Sequence, residues 1–236
     1  MKYIEKGNQP ADLLQYSKTP GASFNGCPCK GIWRSTLIKE QGYLCGYTMK
    51  RIEDNPSTTK IAHIQARNGT AATDLNHKNV VLCCLGNKGN EKKDCYADTR
   101  QENRSLQYIS PLHENCERLI KYLANGEITC DDRNVKDEIV DDPNREPKPY
   151  ENSLLNLNHR HLVEGRIGVY NGVKCELDKT GTLVKGKPAR DWRKQDIEHW
   201  LKVYSEKDAN GKFKEYCNFV IYRLKKELAW RTIRTR

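Results

Sequence analysis

Apolar and polar residues follow two different periods along this chain, and the changes between them mark out its elements. Residues 60–64 (KIAHI) have period two, so Ile61 and His63 share one face of a strand and Ala62 and Ile64 the other. The run NVVLCCL at 79–85 is short, apolar and β-branched, which predicts a second, buried strand. A short helix precedes them over STLIKEQ, with Ser35 as N-cap and Gly42 as its stop, and YLCGYTMKRI then makes a knuckle-like turn around Cys45. After the loop GNKGNEKKD, CYADTRQENRSL can begin a helix.

Further along, PLHENCERLIKYLANGE predicts a helix carrying Leu119, Ile120 and Leu123 and closed near Gly126. The acidic, Pro-containing stretch 131–150 reads as a linker, and SLLNLNHRHLVEGR as a helix over about 153–166. Residues 167–187 alternate and contain Asn171-Gly172 and Thr180-Gly181, a pattern compatible with a β-hairpin. Two amphipathic helices follow. The first carries Ile197, Trp200, Leu201 and Tyr204, and the second Phe213, Tyr216, Val220, Leu224 and Leu228. Residues 1–34 are Gly/Pro-rich and read as an extended arm. The expected organisation is therefore α+β: an arm over 1–34, a small module over 35–105, and a mostly helical region over 106–236.

Composition narrows the setting. The mean hydropathy of -0.87 over 236 residues is polar for a free-standing globule, which suits a chain that works in a complex. No apolar run is long enough to cross a bilayer, and the start lacks the apolar core of a signal peptide, so a cytoplasmic protein is the expectation. The net charge of +10 is uneven: residues 185–236 hold fifteen Lys and Arg against seven Asp and Glu. Arg193, Lys194, Arg223, Lys225 and Lys226 are therefore candidates to touch phosphates or a partner, the alternative being an ordinary solvated helix surface. Ten cysteines without a secretion signal point to metal ligation or burial rather than disulfides.

The candidate chemistry lies in residues 43–103: a cysteine turn, a strand bearing His63, Asn79 opening the next strand, and a Cys/Asp cluster starting a helix. The pieces EQGYLCGYTMKRI, IAHIQARN, LNHKNVVLCCLGN, CYADTRQEN, YISPLHENCE and LNLNHRHLVEGR resemble the HNH endonucleases of the Septu defence system (PtuB) and their retron-associated relatives, over roughly residues 33–170. The resemblance implies a ββα-metal core and a metal-dependent nuclease of an anti-phage complex, cleaving DNA or RNA, with tRNA among the candidates. It implies His63 as general base, Asn79 as orienting or metal-binding residue, Asp98 as metal ligand, and Mg2+ or Mn2+ as the ion. Its implied partners are a PtuA-like ABC-type ATPase subunit, the nucleic-acid substrate and, in a retron setting, a reverse transcriptase with its branched RNA–DNA.

Departures from the pattern are equally specific. Ala62 stands where the family places an acid before the catalytic His. Thr48, Tyr96 and Ala97 replace zinc ligands of the family, and Gln101 replaces a Lys. Either Cys45, Cys83, Cys84 and Cys95 form a rearranged Zn2+ site, or zinc is lost and apolar packing replaces it. With Ala62 unable to bind metal, Asp94 or Asp74 are the further candidates to join Asn79 and Asp98. The alternative function is a catalytically impaired, HNH-like nucleic-acid-binding or assembly subunit of an ATPase complex.

Overall fold

The computed structural model describes residues 1–142, 144, 153–183 and 190–234. It is a mixed α+β fold in which small antiparallel ribbons are embedded among helices. Helix α1 (Ala11–Ser17) and helix α2 (Lys30–Glu40) lead into strand β1 (Thr59–His63), the single-turn α3 (Ala71–Asp74) and strand β2 (Val80–Cys84). β1 and β2 pair antiparallel, with Ile61 opposite Leu82 and His63 opposite Val80. Both strands fall within a residue of their predicted bounds. Helix α4 (Ala97–Gln101) and helix α2 each pack against β2. On β1 and directly after it, Ala62 and Ile64 are buried in the core, while Ile61 and His63 line a cavity on the other side, as the period-two pattern requires.

The free edge of β2 is closed by a side chain. Gln41 Nε2 donates to the carbonyls of Leu44 (2.7 Å) and Leu82 (2.8 Å), and its Oε1 accepts the Leu82 N–H (2.6 Å). A buried carboxamide thus stands in for a third strand. Gly42 ends α2 as expected: its φ is +56°, and a Cβ there would lie 2.4 Å from the Phe213 ring.

Several expectations are corrected. Helix α2 starts at Lys30, so Ser35 lies inside it and bonds Asp54 instead of capping. The first 34 residues are not a free arm. Met1, Ile4, Leu13 and Trp33 are buried in the common core. Met1 is fixed by Tyr122 and Asn218, and Ile4 N–H donates to the Pro111 carbonyl at 2.8 Å. Residues 116–123 do not form one helix. They split into α5 (Cys116–Leu119) and β3 (Lys121–Tyr122), which pairs with β4 (Ile128–Thr129), because Tyr122 is drawn into an aromatic cluster with Phe219 and Tyr222. The stretch read as a linker contains helix α6 (Arg133–Ile139), capped by Asp132 and held by buried Val135, Glu138 and Ile139; residues 143 and 145–150 of it lie outside the described residues.

The helix predicted over 153–166 and the hairpin weighed over 167–187 are replaced by one long helix, α7 (Arg160–Thr180), with Asn171-Gly172 in its middle. A stripe of Leu162, Arg166, Tyr170, Val173 and Leu177 is buried on it, which outweighs the roughly 1 kcal/mol that glycine costs inside a helix. Only β5 (Thr182–Leu183), paired with β6 (Arg190–Asp191), is ribbon, and residues 184–187 lie outside the described residues. Helix α8 (Lys194–Ser205) and helix α9 (Cys217–Arg234) pack on one another as their periodicity predicts, although Phe213 and Tyr216 precede α9.

One buried polar relay joins the N-terminal segment to the ribbon. Trp33 Nε1 can only donate, so His77 Nδ1 accepts its proton (2.9 Å) and His77 Nε2–H donates to Glu40 Oε1 (2.8 Å). Glu40 also receives Lys6 Nζ (2.6 Å) and the Gly7 N–H (3.0 Å). Burial works to raise the Glu40 carboxyl, but its bonds to His77 and Lys6 outweigh this and hold it below its ordinary value. A carboxyl whose folded pKa is depressed stabilises the fold above its unfolded pKa and loses that contribution as pH falls through the folded one. Glu40→Gln is expected to lower unfolding stability at neutral pH by roughly 1–3 kcal/mol. In urea titrations the gap between wild type and variant should narrow as pH falls below the ordinary glutamate value and close once the depressed folded pKa is passed; a gap that persists in acid would show that Glu40 acts through packing and not charge.

Candidate functional site

A cavity of about 160 Å³ opens beside the ribbon, lined by Phe24, Ile61, His63, Ala66, Arg67, Asp98, Glu102 and Asn103. That is the share of roughly five water molecules in the liquid, enough for a small anionic group with attendant water. His63 is 9% exposed at the end of β1. Its Nε2 lies 2.9 Å from the Asp74 backbone oxygen. A carbonyl only accepts, so neutral His63 carries its proton on Nε2 and keeps a lone pair on Nδ1. Burial pulls the imidazole below its ordinary pKa and the Arg67 charge adds to this; the Asp74 carbonyl and the charges of Asp74 and Asp98 oppose it without cancelling it. The ring is therefore neutral at physiological pH, as a general base must be. Phe24 covers it edge-on with ring centroids 4.8 Å apart.

Asn79 orients the site from behind the cavity. Its Oδ1 accepts the Gln65 N–H (2.8 Å), and its Nδ2 donates to the carbonyls of Gln65 (3.1 Å) and Thr73 (3.3 Å). The amide is spent at both ends on the 65–73 loop, whose far end supplies the Asp74 carbonyl. Asn79 is thus a loop clamp, and it does not line the cavity. Asp74 likewise acts through its backbone, its carboxylate accepting the Asn68 N–H at 3.1 Å.

Asp98 reaches the cavity from the first turn of α4. Ala97 just before it has φ +55°, a conformation that costs a non-glycine residue about 1 kcal/mol or more, and is held there by its N–H bond to the Leu155 carbonyl (2.8 Å). The Asp98 carboxylate is paired with Lys60 Nζ at 2.6 Å. Burial pushes its carboxyl above the ordinary range, although Lys60 and His63 pull the other way. Gln101, one turn on, donates to the His63 carbonyl (2.9 Å) and the Arg104 carbonyl (2.7 Å) and accepts from Tyr47 Oη (2.8 Å), which ties α4 to the end of β1. Arg100 is fully buried and bonds both Asp141 carboxylate oxygens, at 2.9 and 3.0 Å.

His63 and Asp98 are therefore brought to one cavity, with Asn79 behind them, but they do not form a donor set. Among the described residues no group of three or more His, Cys, Asp or Glu side chains is placed to hold a metal ion. Ala62 is buried against the core, Asn79 is clamped, Asp98 is paired with a lysine, and Asp94 does not line the cavity. The residues present do not fit a divalent ion as the resemblance would have it held.

The four cysteines divide three and one. The Cys45 sulfur accepts the Cys84 N–H at 3.4 Å, and the Thr48 hydroxyl lies 3.9 Å from the Cys84 sulfur. Burial works to raise the Cys45 thiol, but hydrogen bonding from Cys83, Cys84 and Thr48 outweighs it and brings it well below its ordinary value, while Cys83 and Cys84 are pushed up. Cys95 stands apart, with its thiol on the Asn87 and Asn90 carbonyls at 3.6 Å, so the four-cysteine zinc set is not assembled.

The basic residues of the C-terminal region do not line this cavity. Arg193 and Lys194 pair with Asp196 and Glu198 on their own helix, Arg223 stacks on Tyr170, Lys226 lies over the Tyr222 ring, and Lys225 lines a separate groove with Lys2 and Glu117. Three residues at or beside this cavity went unread in the sequence: Arg67 and Phe24, which line it, and Lys60, which pairs with Asp98. Lys60 and Arg67 bracket His63 within one short stretch, which was the available signal; Phe24 is remote and gave none. No family model matches the chain, and no curated protein matches it.

Asn79→Ala should free the Gln65 N–H and carbonyl. Amide exchange at Gln65 is expected to accelerate about 10- to 100-fold, matching the 1–3 kcal/mol of an unmet buried polar group, with little change at Leu82. Equal exchange at Gln65 in variant and wild type would remove the clamp.

Proposed function

We propose that this chain is a nuclease subunit of the HNH type, with β1, β2 and α4 as its ββα core and His63 as the general base that hydrolyses a nucleic-acid phosphodiester. The observation that carries the reading is the Asp74 carbonyl on His63 Nε2, which leaves Nδ1 of a neutral imidazole as the bare nitrogen in a cavity that also holds Arg67 and Asp98. Nδ1 takes a proton from water as the water oxygen attacks phosphorus. The bond from phosphorus to the leaving sugar oxygen breaks, and that oxygen takes its proton from solvent. The resemblance to Septu and retron-associated proteins supports a PtuA-like ABC-type ATPase subunit as partner and a defence role. DNA and RNA, tRNA included, are the candidate substrates. No helix among the described residues is long and apolar enough to cross a membrane.

A second reading, a non-catalytic HNH-like subunit that binds nucleic acid or holds the ATPase complex together, is favoured by the Lys60–Asp98 pair and by Ala62. Catalysis separates the two. His63→Ala and His63→Gln should each reduce cleavage of nucleic acid by the assembled complex about 10²- to 10⁴-fold, the usual contribution of a positioned base. Because the neutral form is active and burial lowers its pKa, the wild-type rate should rise with pH to a plateau, with its midpoint below the ordinary histidine value of about 6.5. Cleavage undiminished in both variants would leave only the scaffold reading.

A further inference from the structure

The mismatch between the donor set and a divalent ion has a positive counterpart. We propose that the His63 cavity is a cation-independent phosphate site, in which the Lys60 ammonium takes the place of the metal as counter-charge to Asp98 and Arg67 receives the phosphate group. The inference rests on the nuclease reading for the identity of its ligand, a nucleic-acid phosphodiester, but not for the statement about metal.

Three observations converge on it. First, Lys60 lies on β1 three residues before His63 and binds Asp98 at 2.6 Å, its side chain 30% exposed and that of Asp98 14%. An ammonium at that distance cancels the carboxylate's charge, so a dication entering beside it would meet a neutral ion pair where the HNH pattern offers an anion. Second, the residue that would add a carboxylate on β1 is Ala62, which faces the core at 1% exposure, opposite the cavity; an acid there would be buried away from the site. Third, Arg67 lines the cavity and forms no ion pair among the described residues. Its Nη1 donates to Asn25 Oδ1 at 3.1 Å and its guanidinium lies over the Phe24 ring, 5.1 Å from the centroid. A planar guanidinium with unused N–H groups, in a cavity whose nearest carboxylate is already neutralised, is suited to a phosphate oxyanion. The one other acid of the lining, Glu102, is itself held by Lys92 at 3.1 Å. The cation-and-aromatic rim is completed by Lys30, with Nζ 4.8 Å from the Phe24 centroid.

The test measures Mn2+ binding to the full chain by the loss of the free-ion electron paramagnetic resonance signal, and cleavage of a labelled single-stranded oligonucleotide with and without EDTA. Wild type should bind no Mn2+ at its cavity and should cleave equally in EDTA. Lys60→Met should gain Mn2+ affinity by at least about tenfold, since one unit of positive charge next to the carboxylate is removed, and Asp98→Asn in that background should abolish the gain. Lys60→Gln serves as the second variant if the methionine disturbs folding. Arg67→Ala should raise the half-saturating oligonucleotide concentration about tenfold, with Arg67→Lys recovering part of it. Mn2+ binding by wild type that His63→Ala or Asp98→Asn removes would overturn the proposal, as would unchanged Mn2+ affinity in both Lys60 variants. Oligonucleotide binding unaffected by Arg67→Ala would overturn the phosphate assignment. Absence of cleavage by both the full chain and the assembled complex would defeat the nuclease reading, and the Mn2+ measurements would still decide the claim about Lys60.

Discussion

A two-stranded ribbon of five residues a side cannot satisfy its own edges or hold its own register in water, and the centre of this protein is such a ribbon. What stabilises it is a set of buried carboxamides, each satisfied at both ends. Gln41 closes the outer edge of β2 at Leu82, Asn79 closes the loop that leaves β1 at Gln65 and Thr73, and Gln101 takes the carbonyls at the end of β1. An amide carries a donor and an acceptor on one rigid plane, so it can replace a strand locally where an apolar side chain would leave backbone groups unmet. The position of His63 follows from this arrangement, because its own carbonyl is held by Gln101 and its ring by the backbone of Asp74.

The same logic explains why the charge balance of the cavity takes its present form. A carboxylate as buried as Asp98 needs a counter-charge, and a dication, an arginine or a lysine can each supply it. In this chain the lysine comes from the same strand as the histidine, on a stem long enough to reach around the ribbon to α4. An acid at position 62 would sit on the core face with no cation to meet it, and alanine packs into the core there.

The legibility of the sequence follows from how far each residue's partners lie from it. Both ribbon strands, the Cys45 turn, the Gly42 stop and the two C-terminal amphipathic helices were readable because period, β-branching and positive-φ glycine are local signals. Helix α7 was misread because its buried stripe includes Arg166, whose guanidinium bonds the carbonyls of Gly126 and Leu157, so the apolar period is broken by a residue that packs like an apolar one. Tyr122 reads as helix in a run of helix formers, and only the aromatic rings of α9 make it a strand. His63, Asn79 and Asp98 were legible as a constellation. The lysine that neutralises one of them was marked only by its nearness to His63 in the chain, since a Lys on a half-exposed strand has no pattern of its own.

The boundary drawn at residue 34 shows what a linear reading misses about the site. Trp33, on the arm side, donates to His77, two residues before the clamp Asn79, and the arm's Phe24 packs on His63. On the other side, Arg100 of α4 is held by Asp141, and the strained Ala97 by Leu155, both beyond residue 105. A strained backbone persists only where its surroundings over-determine it. The direction in which Asp98 faces β1 therefore depends on segments more than forty residues downstream, and the cover over His63 on one almost forty residues upstream. The short stretch that carries the recognisable residues supplies the reactive groups, while the rest of the chain fixes the geometry that makes them a site.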